Sequence, residues 1–326
     1  MTDPGHDDSG KPASALTVTG GVTAGDAAVR PAPGPPAEGG EVFRGDASWR
    51  MILRAFVDNK LALTGVIIVV AVALFCYAGP LFWHTDQIHT NLLQVNQPPS
   101  AEHPLGTDDL GYDVLGRLMV GGQSSLLVGI AVALMATCFG VVYGVISGYF
   151  GGPTDAILMR IVDIVLAIPV VYLFIDLASE FKPTLPLLIV VLAFLSWLVP
   201  ARLVRGETLS LRVREYVQAV RVMGGRSGRI IVRHLVPNTM GTITVNATFQ
   251  VADAILTLAV LSYLGFSLPP PTATWGGMLE NGVNFLYDGY WWEIYPAGLM
   301  IVLTVVAFNF IGDGLRDSLD VRLQRR

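Results

Sequence analysis

The sequence predicts an all-α polytopic membrane protein with six transmembrane helices. Three observations carry this expectation: apolar composition, long apolar runs, and an uneven placement of Lys and Arg. Of the 326 residues, 52% are hydrophobic and only 14% are charged, at a mean hydropathy of +0.55. Soluble domains carry charge on about a quarter of their residues. Six segments are long enough, or nearly so, to cross the hydrocarbon core as helices of about 20 residues: 62–83, 124–147, 155–178, 185–200, 243–264 and 296–312. Nothing alternates with the period of a membrane β-strand, so helices are expected.

Residues 1–45 differ in kind. They are rich in Pro, Gly, Ala, Asp and Ser ("PAPGPPAEGG") and nearly lack large apolar side chains. Such a segment cannot bury enough surface to offset its ordering entropy, so a disordered tail is expected. It has no basic n-region, apolar core or cleavage site of a signal peptide and is read as retained and cytoplasmic. Residues 46–61 form a pre-span segment, and 62–326 the transmembrane domain. Cys76 and Cys138 lie inside apolar runs and are read as small buried residues rather than metal ligands or a disulfide.

Span four is short and ends at Pro200. Span six follows the cluster Tyr290, Trp291, Trp292 and Tyr295, which suits an interfacial belt. Arginine settles the orientation: Arg202, Arg205, Arg212, Arg214, Arg221, Arg226, Arg229 and Arg233 all lie between spans four and five. Further Lys and Arg precede span one and follow span six, whereas the opposite side has only Arg117 and Lys182. By the positive-inside rule both termini and the 201–242 loop are cytoplasmic.

That loop is ordered as well as basic. In a helix from about residue 213, Val213, Tyr216, Val217, Val220 and Met223 share one face while Arg214, Gln218 and Arg221 point away. Gly224 is placed to cap this helix, Ser227 to start a second, and Pro237 to end it. A basic loop binding anionic lipid accounts for the charge. The caps, glycines and amphipathic order favour a docking element for a cytoplasmic partner.

The loop also resembles a known pattern. Gln218-Ala219-Val220, three residues, Gly224, then nine residues before His234-Leu235-Val236-Pro237, is similar to the EAA loop of ABC importer permeases. The family pattern is Glu-Ala-Ala, three residues, Gly, nine residues, Ile, any residue, Leu, Pro; this chain departs from it at Gln218, Val220, His234 and Val236. "HPLGTDDLGYDVLGRLMVGGQSSLLVG" and "LSYLGFSLPPPTATWGGML" resemble the flanks of spans two and five in the C-type permeases of dipeptide and oligopeptide importers. The resemblance covers roughly residues 50–326. It implies the type I permease fold, with a coupling helix that seats on an ATP-hydrolysing subunit and switches the membrane helices between inward- and outward-open states. Carried over onto this chain, the ATPase-coupling residues are Glu215, Tyr216, Gln218, Ala219, Gly224 and Pro237. The implied partners are a B-type permease, two ATP-binding subunits, an external substrate-binding protein and membrane lipid, with no nucleic acid. The implied location is the cytoplasmic membrane of a prokaryote. Peptides are the favoured solutes; related permeases carry nickel, glutathione and other small solutes.

No chemistry is expected on this chain: no catalytic residue, no metal, no cofactor. There is no G-x-x-x-x-G-K-[ST] loop, so ATP and Mg belong to the partner subunits. "GTDDLGYD" lacks EF-hand spacing and its final Glu, and Thr107 or Asp108 is expected to N-cap a short external helix. Asp253 falls mid-span, with Gln250 and Thr257 at i−3 and i+4 on one stripe. Charges at a helix centre cost about 2.5–3.5 kcal/mol each on insertion scales. Pathway lining and a polar bond to the partner permease both account for this stripe. Arg160 and Asp163, at i and i+3, are placed to pair locally, and Pro169 to kink span three. Gly129, Gly140, Gly144 and Gly148 mark span two for close helix contact. A different class of function, an ion-coupled secondary carrier, would use Asp253 as an ion site.

Overall fold

The computed structural model describes residues 45–324, apart from 170, 171, 174, 175, 177–179 and 181. The expected tail therefore lies outside the described residues, as does part of the third span. Every extended element among the described residues is a helix. In chain order they are α1 (Gly45–Asp58), α2 (Lys60–Phe82), α3 (Val114–Phe150), α4 (Gly152–Leu166), α5 (Leu185–Ser196), α6 (Leu198–Leu211), α7 (Glu215–Val222), α8 (Ser227–Ile230), α9 (Val236–Leu261), α10 (Trp275–Val283) and α11 (Tyr295–Gln324). Five stretches are long and apolar enough to cross a membrane: Lys60–Phe82, Val114–Phe150, Leu185–Leu211, Ser227–Phe266 and Trp291–Leu319. The third expected span, 155–178, is represented by α4 and the partly described residues after it.

The middles of the spans fall where hydropathy places them, and the ends do not. Span four does not stop at Pro200. The chain breaks gently at Trp197, and Pro200 occupies the first turn of α6, where a missing N–H costs nothing. Helix α4 ends at Leu166, three residues before Pro169, so that proline bends no helix among the described residues. Residues 46–61, given no structure in advance, are mostly helix α1. The break before α2 is Asn59, whose Oδ1 accepts from the N–H groups of Leu61 (3.0 Å) and Ala62 (3.2 Å).

Helix α3 is the central post. It packs on α6, α9, α5 and α2, while α11 lies against α2 and α9. Its glycines make the close approach possible. A Cβ on Gly140 would stand 2.7 Å from Pro200 Cβ, and one on Gly148 would stand 2.7 Å from Thr208 Cβ. Between them Gly144 meets the Ala201 carbonyl more closely still. This i, i+4, i+8 row is a groove into which α6 fits. On the other side, Gly129 faces Ile255 of α9. Leu192, Val132, Ala254 and Leu258 fill one layer of the core, and Trp275, Cys76, Leu118 and Ile255 another. The outer faces of α2 and α3 expose Ile67, Leu74, Leu134 and Val142, as lipid contact requires. Cys138 is on that outer face rather than buried as expected.

The segment 83–113 is folded onto the end of α3 by buried polar side chains. The N-cap of α3 is Asp113, not Thr107 or Asp108: its Oδ1 accepts from Gly116 N–H at 2.7 Å and from Trp83 Nε1 at 3.2 Å. His103 Nδ1 is 2.9 Å from its other oxygen. Thr107 is fully buried and bridges Gln97 N–H and the Gln94 carbonyl, while Asp108 accepts from the N–H groups of Leu110 and Tyr112. Trp292 belongs to this ensemble and not to an interfacial belt: it is buried, and its Nε1 donates to the Thr107 carbonyl at 3.2 Å.

Candidate functional site

The basic stretch after α6 forms a compact platform at one end of the molecule. Helix α7 runs from Glu215 to Val222, with Glu215 in its first turn and Arg221 in its last, the arrangement a helix dipole favours. Behind it Val217 is fully buried and Val220 packs against the same cluster, formed by Val145, Tyr149, Val204, Ile230, Leu235 and Ile243. The buried stripe is narrower than the expected one. Val213, Tyr216 and Met223 turn outward, and Val222 joins them at 87% exposed. Glu215, Gln218 and Ala219 are exposed too. The helix thus rests on two valines and offers the rest of its surface.

Two turns fix this presentation. Gly224 has φ +79°, and a Cβ there would meet nothing within 4 Å, so its glycine serves conformation rather than packing. Gly224 N–H donates to Arg221 O (3.0 Å) and Gly225 N–H to Val220 O (2.9 Å), the two bonds of a Schellman cap. Ser227 does not cap the second helix from outside; it is the first residue of α8, and the preceding Arg226 makes no side-chain cap bond. Nor does Pro237 end the element. A π turn, Ile231–Leu235, leads without interruption into α9, with Val236 N–H reaching back five residues to Ile231 O. That wide turn accommodates a proline in the first turn of α9, and Asn238 Nδ2 covers the His234 carbonyl at 2.6 Å.

Arginines that the sequence offered only as topology signals tie α6 to α4 and the platform to the end of α3. Asp155, at the start of α4, accepts Arg205 Nε at 2.5 Å and Nη2 at 2.6 Å, and Ser147 Oγ donates to it as well. Arg212 donates to the Gly148 carbonyl at 3.1 Å, and Arg221 lies over the Tyr149 ring at 5.4 Å. A cavity of about 390 Å³ opens between the platform and the end of α3, lined by Tyr149, Phe150, Arg212, Val213, Gln218, Arg221 and Ser227. The clue in sequence was weak: Arg205 and Arg212 are seven apart, hence on one helical face, but their partner is 50 residues from Arg205.

The other expected constellations are rearranged. Arg160 is exposed, and Asp163 pairs with Arg202 of α6 instead of with it. An i, i+3 spacing permits a contact, whereas the neighbouring helix supplies a better placed guanidinium. Gln250, Asp253 and Thr257 lie along one side of α9 but differ in exposure. Gln250 turns into the bundle, Asp253 outward, and Thr257 Oγ1 bonds the Asp253 carbonyl at 2.7 Å. Asp253 shares its outward face with Leu256, Val260 and Tyr263, so an acid stands in an apolar stripe.

Fold and platform together define a multi-pass α-helical membrane subunit that presents a shaped helix surface at one end. Residues 140–325 match the family described as binding-protein-dependent transport system inner membrane component, and residues 48–99 match the N-terminal TM domain of oligopeptide transport permease C. The chain belongs to that transport family. It is 42% identical over 277 residues to the oligopeptide transport system permease protein OppC of Bacillus subtilis, covering 85% of this chain and 90% of that one. It is 39% identical to the dipeptide transport system permease protein DppC of the same organism, covering 85% and 86%. Against OppC of Escherichia coli K12 the identity is 38%, covering 85% and 92%.

Proposed function

We propose that this chain is a transmembrane permease subunit of an ATP-driven, binding-protein-dependent importer of dipeptides or oligopeptides. The observation that supports this best is the platform: an eight-residue helix anchored from behind, capped by glycine and exposed over Glu215, Tyr216, Gln218 and Ala219. Its outward valines and methionine have no use on a free surface in water and suit a groove on an ATP-binding subunit. Closure of two such subunits around ATP would push α7. The Asp155–Arg205 clamp and the π turn would pass that movement to α3, α6 and α9. The chain itself contributes no covalent step and holds no cofactor; ATP and Mg act on the partners. A B-type permease completes the pathway, with Asp253 at the pathway or the inter-subunit face, and an external protein delivers the solute. The arginine distribution supports a cytoplasmic platform and cytoplasmic termini.

The test is co-purification from native membranes in mild detergent, comparing wild type with Ala219→Glu and Gly224→Asp. ATP-binding subunits and a second permease are expected with wild type. Either substitution should cut ATPase recovery by about 30-fold, the scale of an interface hot spot, while the second permease stays. Recovery of the companion permease with no ATPase in any sample would defeat the proposal and favour an ion-coupled carrier.

A further inference from the structure

About 55 Å along α3 from the platform, on the rise of its 37 residues, lies a second cavity of about 260 Å³. It is bounded by the first turn of α3, the 267–274 segment, α10 and the turn before α11. Four carboxylates line it, those of Asp108, Asp109, Glu280 and Glu293, against the single guanidinium of Arg117. Arg117 is already engaged. Its Nη1 donates to the Pro271 carbonyl at 2.7 Å, its Nε is 3.6 Å from Asp108, and it lies over the Tyr112 ring at 4.0 Å.

Glu293 is left with nothing comparable. The residue is 4% exposed, and neither carboxylate oxygen has a hydrogen-bond partner among the described residues. Asp109 Oδ1 is buried and unpartnered in the same way. The charges that Glu293 faces, Asp109 and then Asp108, are of its own sign. Burial and neighbouring like charges both disfavour the charged form of a carboxyl, so a cation entering beside Glu293 would restore the carboxylate and be held by it. A metal ion fits poorly, because among the described residues no three His, Cys, Asp or Glu side chains are grouped to hold one. A primary ammonium fits well: it has three donors and no acceptor, against three unpartnered acceptor oxygens. The volume is below the ~300 Å³ at which pockets for larger ligands begin, so one amine-bearing group enters rather than a whole oligopeptide.

We propose that this cavity is a binding site for a primary ammonium group, with Glu293 and Asp109 as its acceptors. The group is either the amino terminus of a small solute or the side chain of a lysine on a docked external protein. The test uses the full chain in nanodiscs of lipids without primary amines, followed by tryptophan fluorescence, since Trp292 is adjacent to Glu293. n-Propylamine should give a saturable change that tetramethylammonium, a cation without N–H donors, does not. Glu293→Gln and Asp109→Asn should each weaken it at least about tenfold, the scale of one lost charged hydrogen bond. A response to Ala-Ala but not to N-acetyl-Ala-Ala assigns the site to a solute amino terminus. A response to n-propylamine without one to Ala-Ala assigns it to a lysine side chain. No saturable response in wild type, or an equal one to tetramethylammonium, overturns the proposal without relying on any variant. So does a response left intact by both substitutions.

Discussion

Asp155 and Asp109 meet burial in opposite ways. Asp155 is held by two guanidinium nitrogens and a serine hydroxyl, so its charge is fully matched. Arg205→Ala would strip that match and leave a half-buried carboxylate with one donor. Thermal unfolding in detergent should show a loss of about 1–3 kcal/mol, with a smaller loss when Asp155→Asn is added. Asp109 has no such match, and burial pushes its carboxyl above the usual range, against a smaller opposing pull from Arg117. A raised folded-state pKa means the folded chain binds more protons than the unfolded one. Stability is then greatest below the ordinary carboxylate value near ~4 and falls as pH rises through the folded value. Asp109→Asn should remove that dependence. Its melting temperature should exceed wild type at pH 8 and converge with it in acid; a gain that is independent of pH would contradict the assignment.

Helix middles were legible because lipid demands an unbroken apolar run, and that demand is written residue by residue. Helix ends were not, because they are decided by partners far away in sequence. Pro200, Ser227 and Pro237 carry strong local signals for stopping or starting. None acts as expected: the chain breaks at Trp197 so that Pro200 falls in the first turn of α6, Ser227 is the first residue of α8 rather than its cap, and a π turn makes room for Pro237. Asp113 caps α3 where Thr107 or Asp108 was expected, since Thr107 is consumed by the Gln94–Gln97 turn and Asp108 by the next one. Of the platform, Gly224 was legible because glycine adopts a positive φ without the steric cost of a Cβ. The half of α7 that stays exposed was not, because apolar periodicity cannot distinguish a face buried in the chain from one kept for a partner. The glycine row was legible in position and now has a partner. Gly144→Leu should drive α6 off α3 and cost about 1–3 kcal/mol or more, measured as thermal stability in detergent. The same change at Gly206, where a Cβ meets nothing within 4 Å, should be nearly silent.

For the whole molecule, the two ends of α3 carry different surfaces. One end carries a helix with an exposed outer face, the other a set of carboxylates around a small cavity. Such a division suits a machine whose energy arrives from outside. The most direct measurement is uptake of a labelled dipeptide panel into proteoliposomes holding the assembled complex, with ATP supplied on the platform side. Uptake should need ATP and should fall at least about tenfold, or more than ~1.4 kcal/mol of coupling, with Ala219→Glu. Imposed proton or sodium gradients alone should drive none. Gradient-driven uptake without ATP, abolished by Asp253→Asn and untouched by Ala219→Glu, would contradict it.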